Sequence, residues 1–460
     1  MEPIALSKSK NAAMDRRGYL FSNRDLLRLF LPLTVEQGLE FLVGIISSVM
    51  VAYVGEAAVS GVSLVESVMA LLISLFAALA TGGAVIAGQY LGSKQRHAAR
   101  ESAQQMIWFV STISVVIMLA VYAAKSFILF TLFGQISDEV RLHAETYLII
   151  VSLSIPFLAI YNAGAAIFRT TGNAIISMKV ALLMNLINVA GSALLLYGYH
   201  MGTAGVAFPA LISRIVAAAI ILFVVMNPEY TLHIQRSLKH KFDWRMIKQI
   251  LNIGIPFGLE NSLFFIGRII VLSLVSTFGT AAITANAIGG SLAVFEVLPG
   301  VAINLGFTAV IARCVGAGDY VQAKYYTKKI MGIVYGSQLV FISLILALLP
   351  LIMKVYGLSE ATAELTRQLA WWHGIIAIIL WPFAYTLPVT FRAAGDAKYP
   401  MAIGIMAMFL CRVVLAYLLG AHLHMGVFGT WIAMFSDWGF RFIFFTYRYF
   451  SGKWMRYRVI

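Results

Sequence analysis

The sequence has few charged residues and almost no cysteine. Asp, Glu, Lys and Arg make up 12% of the 460 residues, about half the share typical of a soluble domain. Hydrophobic residues make up 60%, and the mean hydropathy is +0.86. The two cysteines, Cys314 and Cys411, lie in or beside apolar segments, so they offer neither a disulfide framework nor a metal cluster. The composition therefore indicates a chain that is surrounded by lipid.

The sequence also lacks the motifs of soluble enzymes. It contains no phosphate-binding loop, no metal-ligand spacing and no hydrolase nucleophile elbow. The predicted loops are too short to hold a domain that hydrolyses ATP. We therefore expect no enzymatic activity and no cofactor, and any energy for function should come from an ion gradient.

An internal repeat is the most informative feature that is present. Residues 32–99 align without a gap to residues 256–323 at a shift of 224, and 15 of the 68 pairs are identical. Later in the chain, the segment 168–173 (Phe-Arg-Thr-Thr-Gly-Asn) returns as 391–396 (Phe-Arg-Ala-Ala-Gly-Asp). In an apolar chain, repeats of this kind are typical of transporters with a binding site between the halves.

The apolar segments form two sets of six. Each has about twenty or more residues, enough to cross ~30 Å of hydrocarbon. They cover residues 26–53, 58–90, 104–125, 145–168, 177–198 and 203–226, and then 250–277, 282–311, 328–350, 367–390, 400–420 and 426–448. Because each repeat has an even number of spans, both copies should enter the membrane from the same side. The predicted fold class is an all-α integral membrane protein with twelve transmembrane helices in two parallel-repeat six-helix lobes.

Lys and Arg concentrate on one side of this topology. The predicted loops and tails hold twenty-six on the side of the chain termini, Arg169 and Arg392 among them, and four on the other side. Because basic residues mark the cytoplasmic side, both termini should be cytoplasmic. The net charge of +14 then needs no nucleic acid to explain it. We expect a multi-pass protein of the plasma membrane, such as a bacterial inner membrane.

The predicted chain has five parts. Residues 1–25 form a basic cytoplasmic tail without the apolar core and cleavage site of a signal peptide. Residues 26–226 form an N-lobe with spans one to six, and residues 250–448 form a C-lobe with spans seven to twelve. A cytoplasmic linker at 227–249 joins the lobes, and a cytoplasmic tail at 449–460 follows.

Ten Asp, Glu or Arg residues fall within the predicted spans, away from the span ends. Each is costly if it faces lipid, so each should face the interior, a water-filled cavity or a partner. Six acids against four bases leave room for uncompensated carboxylates, which a cation or proton path requires. The ten are Glu36, Glu40, Glu66, Arg214, Glu260, Arg268, Glu296, Arg412, Asp437 and Arg441.

Three glutamates are the leading candidates for binding the coupling ion or the substrate. Glu36 and Glu40 are spaced i, i+4, so they project from one face of the first span. Two carboxylates this close in a medium of low dielectric constant favour the uptake of a proton by one of them. Glu260 is the repeat mate of Glu36. The alternative for each is a hydrogen bond that only packs neighbouring helices.

Glu66, Glu296 and Asp437 complete the set of candidate acids. For Glu296 we expect an ion pair with Arg268, with titration as the alternative. Asp437 and Arg441 are spaced i, i+4 and could neutralise each other. Glu66 lies nearer the outer end of its span, where it could function in binding or simply reach the interface.

Other polar and aromatic residues receive supporting predictions. Arg214 and Arg412 have no equivalents in the opposite repeat and are expected to be partners of the acids. His373, near a span end, is expected at the interface. Tyr161 and Tyr385, on mid-repeat spans, could line a cavity and contact a cation through their rings.

Several motifs carry a family resemblance. They are the run from Pro32 to Gly55 followed by Ala57-Ala58, the Gly-Ala-Gly-Asp at 316–319, and the two Phe-Arg-x-x-Gly segments. Together with two parallel six-span halves, these motifs resemble those of the multidrug and toxic compound extrusion (MATE) family over essentially the whole chain. The resemblance implies a V-shaped pair of lobes that exports organic cations or drugs in exchange for Na⁺ or H⁺.

The family's acidic positions carry over only in part. The resemblance places the family's first-span acid at Ser47, its seventh-span acid at Phe264 with Glu260 one turn earlier, and its tenth-span acid near Trp381. Glu40 occupies the first-lobe counterpart of Phe264.

We therefore predict a secondary active exporter of small, amphipathic, cationic organic compounds. It should act as a monomer among membrane lipids, exchanging its substrate for H⁺ or Na⁺ as the lobes alternate access. Two alternatives stay open. A flippase for a lipid-linked or glycosylated substrate predicts a cavity rich in Arg, and a passive channel or sensory membrane protein predicts no dependence on a counter-ion.

Overall fold

The computed structural model describes residues 18–134, 136–235, 241–356, 358–457 and 459–460. Parts of the predicted tails and linker, namely residues 1–17, 236–240 and 458, lie outside the described residues. Long helices dominate the described chain, and we number them in order. They are α1 (Asn23–Ala52), α2 (Glu56–Gly92), α3 (Arg96–Ala123), α4 (Asp138–Ser152), α5 (Ile155–Thr171), α6 (Ala174–Gly198), α7 (Ala204–Val225), α8 (Trp244–Phe278), α9 (Thr280–Gly316), α10 (Tyr320–Lys354), α11 (Glu360–Ala394), α12 (Lys398–His422) and α13 (Gly426–Phe450).

The helices confirm the predicted fold class. Within the described part of the chain, ten helices are long and apolar enough to cross a membrane, and α4 with α5 makes an eleventh span that is bent by 50°. The remaining helix, α13, has 25 residues and coincides with the twelfth predicted span. Helices of up to 37 residues extend beyond the predicted apolar segments, because only about 20 residues are needed to cross the hydrocarbon.

The fourth span is broken where the sequence analysis predicted one segment at 145–168. α4 ends at Ser152, and α5 begins at Ile155 with Pro156 in its first turn. Proline has no N–H, and its ring crowds the carbonyl four residues earlier. The chain therefore bends at this point.

Backbone turns recur in the two halves. Gly55 and Gly279, which precede α2 and α9, have φ angles of 137° and 91°. Gly172 and Gly395, which follow α5 and α11, have φ angles of 85° and 99°. A side chain disfavours these backbone conformations, so the repeated glycines fix the same turns in both lobes.

The two lobes, α1–α7 and α8–α13, meet closely on one side. We call the side where α1 begins and α13 ends the terminal face. In the half of the molecule towards this face, α2 packs against α8 and α9. A Cβ atom added to Gly254 would stand 3.1 Å from the Cα of Leu79, and one added to Gly92 or Gly316 would collide with backbone of the other lobe. The terminal face is therefore closed.

A short segment before each lobe crosses to the other lobe. We call residues 18–22 the amino-terminal strap; there the Phe21 N–H donates to the Tyr326 hydroxyl at 2.9 Å, and that hydroxyl donates to the Phe21 carbonyl at 2.7 Å. Tyr326 lies on α10 of the C-lobe. We call residues 241–243 the linker strap; there Gln105 of α3, in the N-lobe, donates to the Lys241 carbonyl at 3.0 Å and accepts from the Asp243 N–H at 3.2 Å. Each strap thus precedes one lobe and is hydrogen-bonded to the other lobe.

Candidate functional site

Glu36 lies inside the N-lobe and is 2% exposed. Its carboxylate accepts hydrogen bonds from Ser177 Oγ at 3.0 Å and from the Tyr161 hydroxyl at 3.5 Å. Arg169 Nη1 lies 3.7 Å from Glu36 Oε1. α1, α5 and α6 thus meet at a buried ion pair.

The C-lobe contains the same pair at repeat-related positions. Glu260 accepts hydrogen bonds from Arg392 Nη2 at 2.8 Å and from Arg441 Nη1 at 3.4 Å. Arg441 Nε also donates to Asp437 Oδ1 at 2.9 Å, so the ion pair predicted within the last span is present. These two acids and two arginines form a buried network with balanced charge.

Arg169 and Arg392 correct the sequence analysis, which counted them as basic loop residues. Both lie in the last turn of a helical segment, just before Gly172 and Gly395. Helical side chains point back towards the helix N-terminus, so these arginines reach into the lobes instead of the solvent. The internal repeat could have revealed these ion pairs, because both members recur in the second half. Glu36 returns as Glu260 at a shift of 224, and Arg169 returns as Arg392 at a shift of 223.

A cavity of about 270 Å³ lies beside this network and between the lobes. Arg169 lines it from the N-lobe, and Glu260, Arg392 and Arg441 line it from the C-lobe. Its aromatic walls are Phe257, Phe264, Trp381 and Tyr385.

The two tyrosines that were predicted to face a cavity have different surroundings. Tyr385 lines the cavity as predicted, and the guanidinium of Arg441 lies 5.2 Å from its ring centre. Tyr161 is buried and holds the carboxylate of Glu36. The cation that contacts the Tyr385 ring is therefore the Arg441 side chain of the protein itself.

The predicted ion pair between Glu296 and Arg268 is wrong. Glu296 is fully buried, and its carboxylate is paired with Nδ1 of His373 on α11. His373 packs against Trp431 and Trp438, with ring centres 5.7 and 5.3 Å away, instead of lying at the interface. The position of Glu296 along α9 could not reveal that this residue faces α11.

Arg268 and Arg412 have no acid partner among the described residues. Arg268 on α8 makes no hydrogen bond or ion pair there, and Arg412 on α12 lies over the Phe264 ring, 5.2 Å from its centre. Arg214 donates to Ser154 Oγ at 2.7 Å. Within the described residues neither Arg214 nor Arg412 forms an ion pair with a candidate acid, so the prediction that they are partners of these acids is wrong; a hydroxyl and an aromatic ring are their neighbours.

The remaining candidate acids do not face basic side chains directly. The side chain of Glu40 is accessible, although many protein atoms lie near it. Its carboxylate accepts a hydrogen bond from the Gln37 amide at 2.9 Å. Glu66 is half-buried and accepts one from the Tyr147 hydroxyl at 2.5 Å.

Ser47 is half-buried further along α1, and no hydrogen bond of its side chain occurs in the described ranges. Those ranges also contain no group of three or more His, Cys, Asp or Glu side chains that could hold a metal ion.

Comparison with known proteins decides the family. The MatE family model matches residues 32–194 and 256–418, two segments related by the same shift of 224. The chain belongs to the MATE family. Members of this family are membrane transporters, and the chain is a multi-pass membrane protein of this kind.

Relatives of this MATE chain cover nearly its whole length. The uncharacterized transporter YisQ of Bacillus subtilis is 28% identical over 444 residues, which are 94% of this chain and 95% of that protein. The probable multidrug resistance protein NorM of Thermotoga maritima is 24% identical over 447 residues, covering 95% and 94% of the two chains. An outward-facing multidrug resistance MATE transporter of the MOP superfamily matches with a TM-score of 0.86 at 18% identity, covering 93% of this chain and 95% of that one.

Proposed function

We propose that this MATE protein is a secondary active exporter of small amphipathic organic compounds, driven by antiport with a cation. The observation that carries the proposal is the cavity between two repeat-related lobes, with aromatic and charged side chains on its walls. Relatives named as probable multidrug resistance proteins support an organic substrate. Because one chain supplies both lobes, a monomer among membrane lipids contains the complete cavity.

We infer that the terminal face is cytoplasmic, as the distribution of Lys and Arg predicts. The conformation is then open to the outside. Glu40 and Arg268 support this inference, because both lie well inside long apolar helices with accessible side chains, and ionisable side chains at such positions face a water-filled cavity instead of lipid. Alternating access would require α2 to separate from α8 and α9 while residues 26–226 and 250–448 move as units.

We propose a proton as the counter-ion and Glu40 as the residue that carries it. Glu36, Glu260 and Asp437 each face an arginine, whereas the hydrogen-bond partner of Glu40 is the neutral amide of Gln37. A single carboxylate becomes neutral by binding one proton, and a neutral side chain can be enclosed in a closed lobe at lower electrostatic cost. Glu40 is also open to solvent, so a proton can reach it.

The test uses inside-out membrane vesicles with a proton gradient formed by respiration. Organic compounds of each charge type are added, followed by Na⁺, while a fluorescent dye reports the internal pH. We expect proton release that depends on the compound and that is lost in Glu40→Gln. Glu56→Gln, which changes an exposed acid in the first turn of α2, should behave like the wild type. A response to Na⁺ alone would reject the organic compound as the exchanged solute, and no response to any addition would reject antiport with a proton.

A further inference from the structure

Arg268 and Arg412 are an uncompensated pair of positive charges in the C-lobe. The other C-lobe arginines named above, Arg392 and Arg441, are balanced by Glu260 and Asp437. Arg268 and Arg412 lie close enough for their charges to act on each other. Charged side chains in membrane-spanning helices face a partner or a water-filled cavity, so two neighbouring arginines without an acid partner leave room for an anion.

The two arginines adjoin Phe264, a residue of the cavity wall, and are not themselves part of that wall. α8 and α12 are in contact where Gly267 meets Met408, and one arginine projects from each helix near this contact. Arg412 lies over Phe264, which lines the cavity. Arg268 lies one turn beyond Phe264 on α8. Its side chain is accessible, although many protein atoms lie near it. Both arginines therefore lie next to the cavity wall at Phe264.

This positive charge is a feature of one lobe and not of the repeated fold. The repeat mate of Arg268 is Gly44, and the repeat mate of Phe264 is Glu40. The acid of the N-lobe is thus replaced by an aromatic ring in the C-lobe, and the arginine of the C-lobe is replaced by glycine in the N-lobe. The fold forms without Arg268 in its first copy, so the arginine is not needed to build a lobe.

We propose that Arg268 and Arg412 bind an anionic group of the transported compound. This proposal rests on the proposed export function and specifies its substrate class: an amphipathic organic anion whose carboxylate, sulfonate or phosphate lies between the arginines. Guanidinium groups bind such groups through two parallel hydrogen bonds. The apolar part of the compound then packs against Phe264 and Tyr385 in the cavity. The predicted organic cation finds no equivalent unpaired acid in the C-lobe network.

Binding to the purified full-length protein in detergent tests this site without requiring transport. Three probes share one ring system and differ in charge: 2-naphthoate, 2-naphthamide and 2-naphthylmethylammonium. Quenching of tryptophan fluorescence reports occupancy, since Trp381 lines the cavity. We expect naphthoate to bind more tightly than the other two probes.

Arginine variants assign the anion preference to these residues. Arg268→Gln and Arg412→Gln should each weaken naphthoate binding about tenfold, the loss expected for one charged hydrogen bond, and leave naphthamide binding unchanged. Arg268→Lys should weaken naphthoate binding less than Arg268→Gln does. Arg367→Gln, which changes an exposed residue paired with Glu364, should have no effect. Equal binding of all three probes, or naphthoate binding that is insensitive to both glutamine variants, would overturn the proposal.

Transport measurements separate this proposal from the export function. Proton release driven only by the ammonium probe would leave export standing and reject the anion site. Naphthoate binding that depends on the arginines, without proton release by any probe, would keep the site and reject antiport. A parallel assay follows fluorescent phosphatidylglycerol in liposomes; its movement without naphthoate transport would keep the anion site and identify a lipid phosphate as the source.

Discussion

At the scale of single side chains, each lobe holds its first helix to the end of its fourth span through a buried Glu–Arg pair. The carboxylate and guanidinium are 3.7 Å apart in the N-lobe and 2.8 Å apart in the C-lobe. Two charges of opposite sign are retained inside a lobe only when each compensates the other. Arg169 also lines the cavity, so the N-lobe pair connects the lobe interior with the space between the lobes.

Removal of one member of the N-lobe pair should destabilise the protein more than removal of both. Glu36→Gln leaves Arg169 without its acid, a change that costs roughly 3–5 kcal/mol at fully buried sites, and we expect the lower end of that range because Arg169 is partly exposed. The double variant with Arg169→Gln should recover more than half of this loss. Thermal unfolding midpoints of the purified variants measure the effect. If the loss of stability in the double variant equals the sum of the losses in the two single variants, the pair has no coupling energy.

At the scale of elements, the amino-terminal strap should stabilise the closed terminal face. Tyr326→Phe removes the hydroxyl that makes both hydrogen bonds to Phe21, each with a net contribution of about 1 kcal/mol. Cys314 is buried close to Tyr326, so its reaction rate with a maleimide reports opening. We expect a rise of about thirtyfold in a Cys411→Ser background.

Tyr122→Phe is the matched control for the strap. It also removes one tyrosine hydroxyl, which donates to the Ile149 carbonyl at 2.6 Å within the N-lobe. Labelling of Cys314 should stay at the wild-type rate in this variant. An equal rise in both variants would mean that the hydroxyl acts on general stability and not on the strap.

The repeat, the helices and the buried acids were predictable from the sequence, but several partners were not. Hydropathy places a helix at each span because lipid imposes length and composition. The partners of Arg169 and Glu296 depend on which faces of distant helices meet, and a hydropathy pattern carries no such information. Pro156 signals the bend between α4 and α5, yet the apolar composition on both sides hides it within one segment.

At the scale of the whole molecule, transport should require the close approach of α2 and α9. A side chain at Gly316 would collide with the backbone at Gln89. Moving either backbone to relieve this collision would be energetically costly, because both helices are closely packed. Gly316→Val should therefore prevent closure of the terminal face and reduce transport to the background level, while the lobes stay folded. Gly332→Val on α10, where an added Cβ meets nothing within 4 Å, should retain transport.

Vesicle transport and gel filtration of both glycine variants measure these outcomes. A folded Gly316→Val protein that transports at the wild-type rate would mean that the lobes need not approach closely at this glycine. Aggregation of this variant alone would instead place the contact among those needed for folding.

The reciprocal straps also constrain the order in which a newly made chain can assemble. Phe21 leaves the ribosome 305 residues before Tyr326, the side chain that receives it. The linker strap meets Gln105 on a lobe whose helices have already been synthesised. During biosynthesis the N-lobe is therefore inserted with its leading segment undocked, and the seal on the terminal face is completed only after the tenth helix has emerged.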